Sequence, residues 1–294
     1  MTELSQVLCA VDFSEPAQVA FTRALALAAE HGAHLTVVHA VPLDQRFREG
    51  GRARMTAQSR LQRLAERKGV KLRFRVQQGE PAGIILLHAN AKPFDLLVIG
   101  SHRRTGWERF RLGSVAERVV QQVTCPVWIA AAVDGNGRRA MAGAVKSVVC
   151  AMDFSRASTA AVAAALSIVR ETGSRLTLLH VMRALSSSSS TRFARDFVMS
   201  QDRHQLTEGL RRRLEAAIPH DVWDSTRVQI RVATGKPSDA IVRVVTAVEA
   251  DLVIVGVTAR GALGRGFIGS TAARVMGRTG CALLAVPQPT TPGR

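Results

Sequence analysis

Two segments of the sequence share a glycine spacing suited to binding a phosphorylated ligand. Gly100 ends an apolar run and is followed by a Gly-Ser pair that begins at Gly113, and Gly256 and Gly269 have the same separation. Glycine lets a ligand approach the backbone closely, and the free N–H groups at the start of a helix favour an anion. Both segments also carry arginines: Arg103, Arg104, Arg109 and Arg111 in the first, and Arg260 and Arg265 in the second. We therefore predict phosphate-binding loops at both places.

Aspartate and histidine residues follow apolar runs at matching places in the two halves. Asp12 follows Val7–Val11 and corresponds to Asp153, and His39 corresponds to His180. Because neither histidine has a His or Cys partner at a metal-binding spacing, we interpret both as hydrogen-bonded residues at strand ends rather than catalysts. The 4 cysteines include no Cys-x-x-Cys pair, which disfavours a zinc site and favours buried, reduced thiols.

An internal duplication explains these matches. QVLCAVDFSEPA from Gln6 returns as SVVCAMDFSRAS from Ser147, and GEPAGII from Gly79 returns as GKPSDAI from Gly235. The second pair of segments is farther apart than the first, which places an insertion in the second copy, between about Arg183 and Ile230. A repeat of this length indicates two copies of one domain.

A polar, glycine-rich run after the first copy is the natural linker between the domains. We divide the chain into a first domain at residues 1–133, a linker at 134–143 and a second domain at 144–294. The run Ser186–Ser190, inside the insertion, is predicted to be a flexible loop. The formal charge of +17 divides into +8 up to Ala142 (20 basic, 12 acidic residues) and +9 after it (20 basic, 11 acidic). This even division disfavours a basic nucleic-acid-binding tail.

Apolar strands alternate with helices along each copy. Strands that are apolar throughout are typical of a parallel sheet covered by helices on both faces. Ser14 is suited to cap the first helix and Gly32 to end it. The predicted fold class is therefore α/β, with two doubly wound, Rossmann-like parallel-sheet domains in tandem. In the first copy the predicted strands are Val7–Val11, Leu35–Val41, Leu72–Gln77, Leu96–Ile99 and Val127–Ala131, and the predicted helices run from Ser14 through Ala29, Gln45–Lys68, Pro81–Ala91 and Ser114–Val123.

Ligands of such sheets bind beyond the carboxyl ends of the strands, where the strand order reverses. Three strands of each copy bring residues to this edge. They are Asp12, Ala40 and Gly100 in the first copy, and Asp153, Val181 and Gly256 in the second.

These residues and spacings resemble the universal stress protein family over nearly the whole of both copies. The aspartate after the first strand, the strand ends HAV and HVM, and the glycine loops carry the resemblance. The family's nucleotide signature is Gly-x2-Gly-x9-Gly-Ser (or Thr), and its outer glycines match here. The middle glycine is replaced by Arg103 in the first copy and by Ala259 in the second. Arg103 could supply charge to a phosphate where its backbone approaches less closely.

The resemblance implies a fold of the adenine nucleotide alpha hydrolase type with ATP as the bound ligand. It also implies that the last strands of the two copies associate, so that the copies form an internal pseudo-dimer; further pairing of whole chains stays open. By position, the implied nucleotide-binding residues are Asp12, Ala40, Gly100, Arg103, Gly113, Ser114 and Val115 in the first copy, and Asp153, Val181, Gly256, Gly269, Ser270 and Thr271 in the second.

Two functions stay open from the sequence. The first is a stress-responsive regulatory protein that binds an adenine nucleotide in at least one domain. The second is a nucleotide-independent scaffold whose basic surface, including Gln45–Arg75 with 11 basic residues, binds an acidic protein or nucleic acid. An enzyme is the weakest interpretation, because no GxxxxGK[ST] or SGGxDS loop is present, which leaves slow incidental ATP hydrolysis at most. Without a basic leader or an apolar run long enough to cross a bilayer, a cytoplasmic location and no membrane span are expected.

Overall fold

The computed structural model describes residues 4–43, 51–101, 113–131, 144–182, 192–225, 227–258, 270–276 and 278–289. The predicted linker 134–143, the run Ser186–Ser190 and the expected site residues Arg103 and Gly269 lie outside these described residues, as does Ala259.

Each half alternates strands with helices, as the apolar pattern predicts. The first half contains β1 Gln6–Ala10, α1 Glu15–His31, β2 His34–Val41, α2 Gly51–Arg67, β3 Leu72–Gln78, α3 Pro81–Ala91, β4 Leu96–Ser101, α4 Ser114–Gln122 and β5 Val127–Ala131. The second half contains β6 Ser147–Ala151, α5 Arg156–Thr172, β7 Arg175–Met182, α6 Arg192–Glu215, α7 His220–Ser225, β8 Val228–Thr234, α8 Pro237–Ala247, β9 Leu252–Val257, α9 Ser270–Met276 and β10 Ala282–Pro287.

The insertion in the second half includes packed helix. Helix α6 has 24 residues where α2 has 17, and the short helix α7 follows it. Leu214 of α6 and Val222 of α7 are both fully buried. Both helices therefore contribute to the core of the second half.

All ten strands described here belong to one sheet, in the order β3-β2-β1-β4-β5-β10-β9-β6-β7-β8. Neighbouring strands within each half are parallel, which confirms the predicted doubly wound fold, and the order reverses between β1 and β4 and again between β6 and β9. The last strands of the two halves, β5 and β10, pair antiparallel. The two parallel sheets are thereby joined into one.

Two hydrophobic cores cover the two faces of this sheet, and each contains residues from both halves. Apolar side chains of α1, α2, α5 and α6 form one core with Cys9 and Cys150. Side chains of α3, α4, α8 and α9 form the other with Leu8 and Val149. Alternate residues of one strand thus point to opposite cores, as the pleat requires. Among the described helices none is both long and apolar enough to span a lipid bilayer.

Capping residues fix where the first helix of each half begins and ends. Ser14 caps α1 by accepting a hydrogen bond from the Ala17 N–H, and Gly32 ends the helix with φ 65°. Ser155 caps α5 in the same way, and Gly173 ends it with φ 66°. The left-handed conformation at both ends favours glycine. The predicted start and stop of α1 are confirmed.

Candidate functional site

The reversal of strand order places three strand ends of the first half side by side. β1 lies between β2 and β4, with Ala10 opposite Val38 on one side and Ile99 on the other. Two residues further along each strand, the register brings Asp12 beside Ala40 and Ser101. The crevice beyond these ends is where ligands of doubly wound sheets bind.

The second half repeats this arrangement in the same register. Ala151 pairs with Leu179 and Val255, so Asp153 follows between the ends of β7 and β9. Both halves therefore bring together the aspartate and the β2-type and β4-type strand ends that the sequence predicts.

The two aspartates shape the turn that leads from the strand into the helix. Oδ1 of Asp12 accepts a hydrogen bond of 3.0 Å from the Ser14 N–H and another from the Ser14 hydroxyl. Oδ1 of Asp153 accepts from the Ser155 N–H at 3.0 Å. Burial raises the pKa of Asp153, but hydrogen bonds from Ser155 and Ser158 outweigh it and leave this pKa below its usual value. An ionised carboxylate thus stands at the crevice of the second half.

Phenylalanines in a left-handed conformation follow both aspartates. Phe13 and Phe154 each have φ 63°, which for a side chain other than glycine costs about 1–2 kcal/mol. The Phe13 ring lies 4.6 Å from the His39 ring and is stacked 6.4 Å from that of Phe74. The Phe154 ring lies 5.0 Å from that of His180. The same strained backbone conformation occurs at the same position of both halves. We infer that the surrounding residues hold this turn in its shape.

The two histidines are held by backbone carbonyl groups, as the sequence predicts. Nδ1 of His39 donates to the Val11 carbonyl oxygen at 2.8 Å, and Nδ1 of His180 donates to that of Met152 at 2.7 Å. Burial lowers the pKa of His39 and outweighs the hydrogen bond to Val11. A neutral His39 that fixes the end of β1 is a structural residue beside the crevice.

The backbone of Ala40 faces the crevice. In a parallel ladder the N–H and C=O groups of successive residues point toward opposite neighbouring strands, so residues two apart point the same way. The Val38 carbonyl accepts from the Val11 N–H at 2.9 Å, on the β1 side, and that of Val41 accepts from the Gly79 N–H at 2.9 Å, on the β3 side. The groups of Ala40 therefore point to the β1 side, where β1 has already ended.

Val181 has the same position in the second half. The Leu179 carbonyl accepts from the Met152 N–H at 2.9 Å, and that of Met182 accepts from the Gly235 N–H at 2.9 Å. The groups of Val181 therefore point to the gap beyond the end of β6. Both predicted strand-end residues offer one donor and one acceptor to a planar ligand edge.

Gly100 and Gly256 have a packing reason to be glycine. A Cβ atom on Gly100 would lie 2.5 Å from the carbonyl carbon of Pro16 and 2.6 Å from its oxygen. A Cβ atom on Gly256 would overlap the backbone of Ala157 and Ser158 in the same way. The first turns of α1 and α5 thus lie directly on these strand ends. Glycine here is required by helix packing before any ligand is considered.

Gly113 is different, because no described residue crowds it. It is the N-cap of α4 with φ −58°, and no side chain caps that helix. A Cβ atom on Gly113 would meet no atom of the described residues within 4 Å. Ser114 is exposed and Val115 half-buried, and no side chain of the described residues caps the first N–H groups of α4. In the second half, Ser270 and Thr271 begin α9 at the matching position.

Ion pairs that the sequence did not single out hold α4 and the segment after α9 to neighbouring helices. Glu80 caps α3 by accepting from the N–H groups of Ala82 and Gly83, and it also accepts from Nη1 of Arg118 in α4 at 2.9 Å. In the second half, Arg278 pairs with Asp239 of α8. Position 80 could have been recognised, because an acidic residue before Pro81 is a helix-start signal. The pairs to α4 and α8 depend on tertiary contacts.

Within the described part of the chain, no three His, Cys, Asp or Glu side chains are grouped to hold a metal ion. All 4 cysteines are free, and 3 of them are buried. The described residues at the two crevices therefore offer a carboxylate, backbone hydrogen-bonding groups and helix N–H donors.

Comparison with known proteins gives the family. The universal stress protein family model matches residues 3–131 and 144–287. A universal stress protein of Methanocaldococcus jannaschii is 42% identical over 73 residues, which cover 25% of this chain and 43% of that protein. Universal stress protein YxiE of Bacillus subtilis is 31% identical over 144 residues, which cover 42% of this chain and 97% of YxiE. The first relative is thus matched over less than half its length, and YxiE over nearly all of it.

A solved structure has the same fold over nearly the whole chain. The crystal structure of a universal stress protein from Archaeoglobus fulgidus superimposes with a TM-score of 0.69 at 18% identity, covering 97% of this chain and 98% of that one. This likeness establishes the fold, and the family model establishes the membership. The chain belongs to the universal stress protein family and contains two of its domains in tandem.

Proposed function

We propose that this protein is a stress-responsive regulator that binds an adenine nucleotide, ATP in the first instance, in at least one of its two halves. The observation that carries the proposal is the backbone of Ala40, which faces the gap beyond β1 beside Asp12. Such an edge offers a donor and an acceptor to the hydrogen-bonding edge of a base. Val181 and Asp153 repeat this arrangement.

The remaining parts of the crevice suit a ribose and a phosphate chain. The Asp12 carboxylate can accept hydrogen bonds from ribose hydroxyl groups. The N–H groups that begin α4 at Ser114 and Val115 can bind phosphate oxygens, and the helix dipole favours that charge. No described residue fills the space beside Gly113, where a phosphate could approach the backbone. Arg103, which stands where the family signature has its middle glycine, would supply a further positive charge to the phosphates.

The titratable groups at the crevice favour binding over catalysis. Oδ1 of Asp12 is engaged by the turn at Ser14, and Nδ1 of His39 is engaged by the Val11 carbonyl. Neither group is placed as a general base for the attack of water on a phosphate. We therefore propose a regulator that acts through conformation or partner contacts, with slow ATP hydrolysis at most, in the ATP-rich cytoplasm.

Two measurements test nucleotide binding directly. Freshly purified protein is denatured and the released small molecules are identified by mass spectrometry, and the protein is then titrated with ATP by calorimetry. Gly113→Val places a branched side chain at the start of α4. It should abolish the heat of ATP binding by the first half. Gly269→Val makes the matching change in the second half.

Each valine variant is the control for the other, since a site in only one half is affected by only one of them. Carried-over adenine nucleotide, or saturable binding that one valine variant removes, supports the proposal. The absence of both released nucleotide and saturable heat at millimolar ATP would refute it.

A second candidate function is a scaffold that binds an acidic partner without nucleotide. Its supporting observation is the exposure of the basic residues in α2 and β3, among them Arg60, Arg63, Arg67, Arg73 and Arg75. A polyanion bound there releases counterions, so its affinity falls steeply with salt. Binding of single-stranded oligonucleotides or polyglutamate with a steep salt dependence, in a protein that gives no heat with ATP, would favour this function.

A further inference from the structure

The centre of the contact between the halves is a pair of repeat-equivalent residues. β5 and β10 pair at Ile129 with Leu283, Trp128 with Leu284 and Val127 with Ala285. Trp128 and Leu284 correspond in the same register of the repeat that relates Gly79 to Gly235. Equivalent residues opposite each other indicate a pseudo-twofold axis between them. We call this strand pair, with α1 and α5 packed over it, the seam.

The two halves bring side chains of different size to the seam. Trp128 and Leu284 are both buried on the sheet face covered by α1 and α5. The Arg23 guanidinium of α1 lies 4.6 Å from the centre of the Trp128 ring. In the register of the repeat that relates Gln6 to Ser147, Ala164 of α5 stands where Arg23 stands in α1. The first half thus contributes Trp and Arg, and the second contributes Leu and Ala.

Arg23 is held at the seam at an energetic disadvantage that the Trp128 ring offsets. Its Nε atom is buried and has no hydrogen-bond partner among the described residues. Burial lowers the pKa of Arg23, and Glu30 acts in the opposite direction. A guanidinium stacked on a tryptophan face is stabilised by a cation–π interaction, which is strongest where water is excluded.

We propose that this difference in size makes the seam selective for unlike halves. Two first halves joined in the same way would place two Trp and two Arg side chains at one axis, which overfills it. Two second halves would place two Leu and two Ala side chains there and leave a void. A first half paired with a second half places one Trp, one Arg, one Leu and one Ala side chain at the axis, which neither overfills it nor leaves a void. The partner that fits the β5 edge of the first half is therefore a second half, and specificity comes from the misfit of the like pairs.

A second contact across the seam does not select the partner and provides a control. Nε2 of His31 in α1 lies 3.8 Å from Oε2 of Glu171 in α5. Glu30 occupies the position of Glu171 in the first half, so His31 would meet a glutamate in either pairing. Changing His31 should leave the choice of partner unchanged.

The test uses the full chain with a protease site placed in the segment 134–143. The purified protein is cleaved, unfolded in urea and refolded by dilution, and the paired fragments are counted by native mass spectrometry, which separates like from unlike pairs by mass. Random pairing gives equal numbers of like and unlike pairs. We expect unlike pairs to exceed like pairs roughly tenfold in the wild type, a difference of about 1.4 kcal/mol.

Exchanging the side chains tests the cause. Arg23→Ala with Trp128→Leu should bring the ratio of unlike to like pairs to about one, since every pairing then leaves the same void. Adding Ala164→Arg and Leu284→Trp to these two changes should restore the excess of unlike pairs, because the second half then contributes Trp and Arg and the first half contributes Leu and Ala. His31→Ala should keep the wild-type ratio.

The wild-type measurement decides the proposal even where a variant fails to refold. Equal numbers of like and unlike wild-type pairs, or an excess of like pairs, would overturn it. The proposal would also be overturned if the Arg23→Ala, Trp128→Leu protein kept the wild-type ratio of unlike to like pairs. The inference depends on the β5–β10 pairing and is independent of nucleotide, so loss of ATP binding leaves it standing.

Discussion

Replacement of Gly100 by alanine tests whether the strand-end glycine is required by packing. The added Cβ atom would lie 2.5 Å from the Pro16 carbonyl carbon and 2.8 Å from the Ala17 nitrogen. Non-bonded carbon atoms prefer about 3.5–4.0 Å, so the first turn of α1 must move by roughly 1 Å. The obstructing atoms are backbone atoms and cannot be rotated away, unlike the end of a flexible side chain.

The expected loss of folding stability follows from the known cost of overfilling a packed site. Insertion of one methyl group into such a site destabilises a protein by about 1–3 kcal/mol, and the backbone contact at Gly100 favours the upper part of this range. With a urea dependence of about 2 kcal/mol per molar, the unfolding midpoint should fall by about 1 M. Circular dichroism in urea measures this. Gly256→Ala should behave alike, because its Cβ atom would meet Ala157 and Ser158.

Gly209→Ala is the matched control, since it adds the same methyl group in open space. Gly209 is exposed within α6, and a Cβ atom there would meet no atom of the described residues within 4 Å. Alanine in a helix interior is favoured over glycine by about 1 kcal/mol, so this variant should be slightly more stable than the wild type. An unchanged midpoint for Gly100→Ala beside a raised midpoint for Gly209→Ala would refute the packing explanation.

Two further predictions concern titration and thiol reactivity. Burial lowers the pKa of His39 below the unfolded value of about 6.5, so the unfolded chain binds more protons and stability should fall as the pH drops through and below that value. NMR titration of the imidazole would show this, and a pKa of His39 at or above 6.5 would contradict it. Burial raises the pKa of all 4 thiols, to about 12 at Cys125, Cys150 and Cys281. Iodoacetamide at about pH 8 should therefore label none in the native protein and all of them in urea, as counted by mass spectrometry; native labelling of any cysteine would contradict it.

Local sequence signals were sufficient to predict the elements and the strand ends of the site. The cap at Ser14 and the stop at Gly32 act within one helix, and both are found as predicted. Apolar runs such as Leu35–Val41 indicate buried parallel strands because both faces are covered. Once strands alternate with helices, the carboxyl ends must share one edge, so Asp12 and Ala40 could be placed together without coordinates.

Features that depend on contacts between distant residues were not predictable in this way. The left-handed conformation of Phe13 is maintained by its contacts with His39 and Phe74, from two other strands. The pairing of Arg118 with Glu80 needs α3 and α4 side by side. Neither has a local signal, because aromatic and arginine side chains are common in many settings.

The two described glycines of the first loop carry different information about ligand binding. Gly100 must be glycine to admit the first turn of α1, and Gly256 must be glycine for the same reason in the second half. Their presence in both halves is therefore expected of the scaffold, whether or not a nucleotide binds. Gly113 has an allowed φ of −58° and open space, so neither conformation nor packing against the described residues demands glycine there. A bound phosphate is a physical reason that would demand it, which is why substitution at Gly113, and not at Gly100, separates loss of a ligand from loss of the fold.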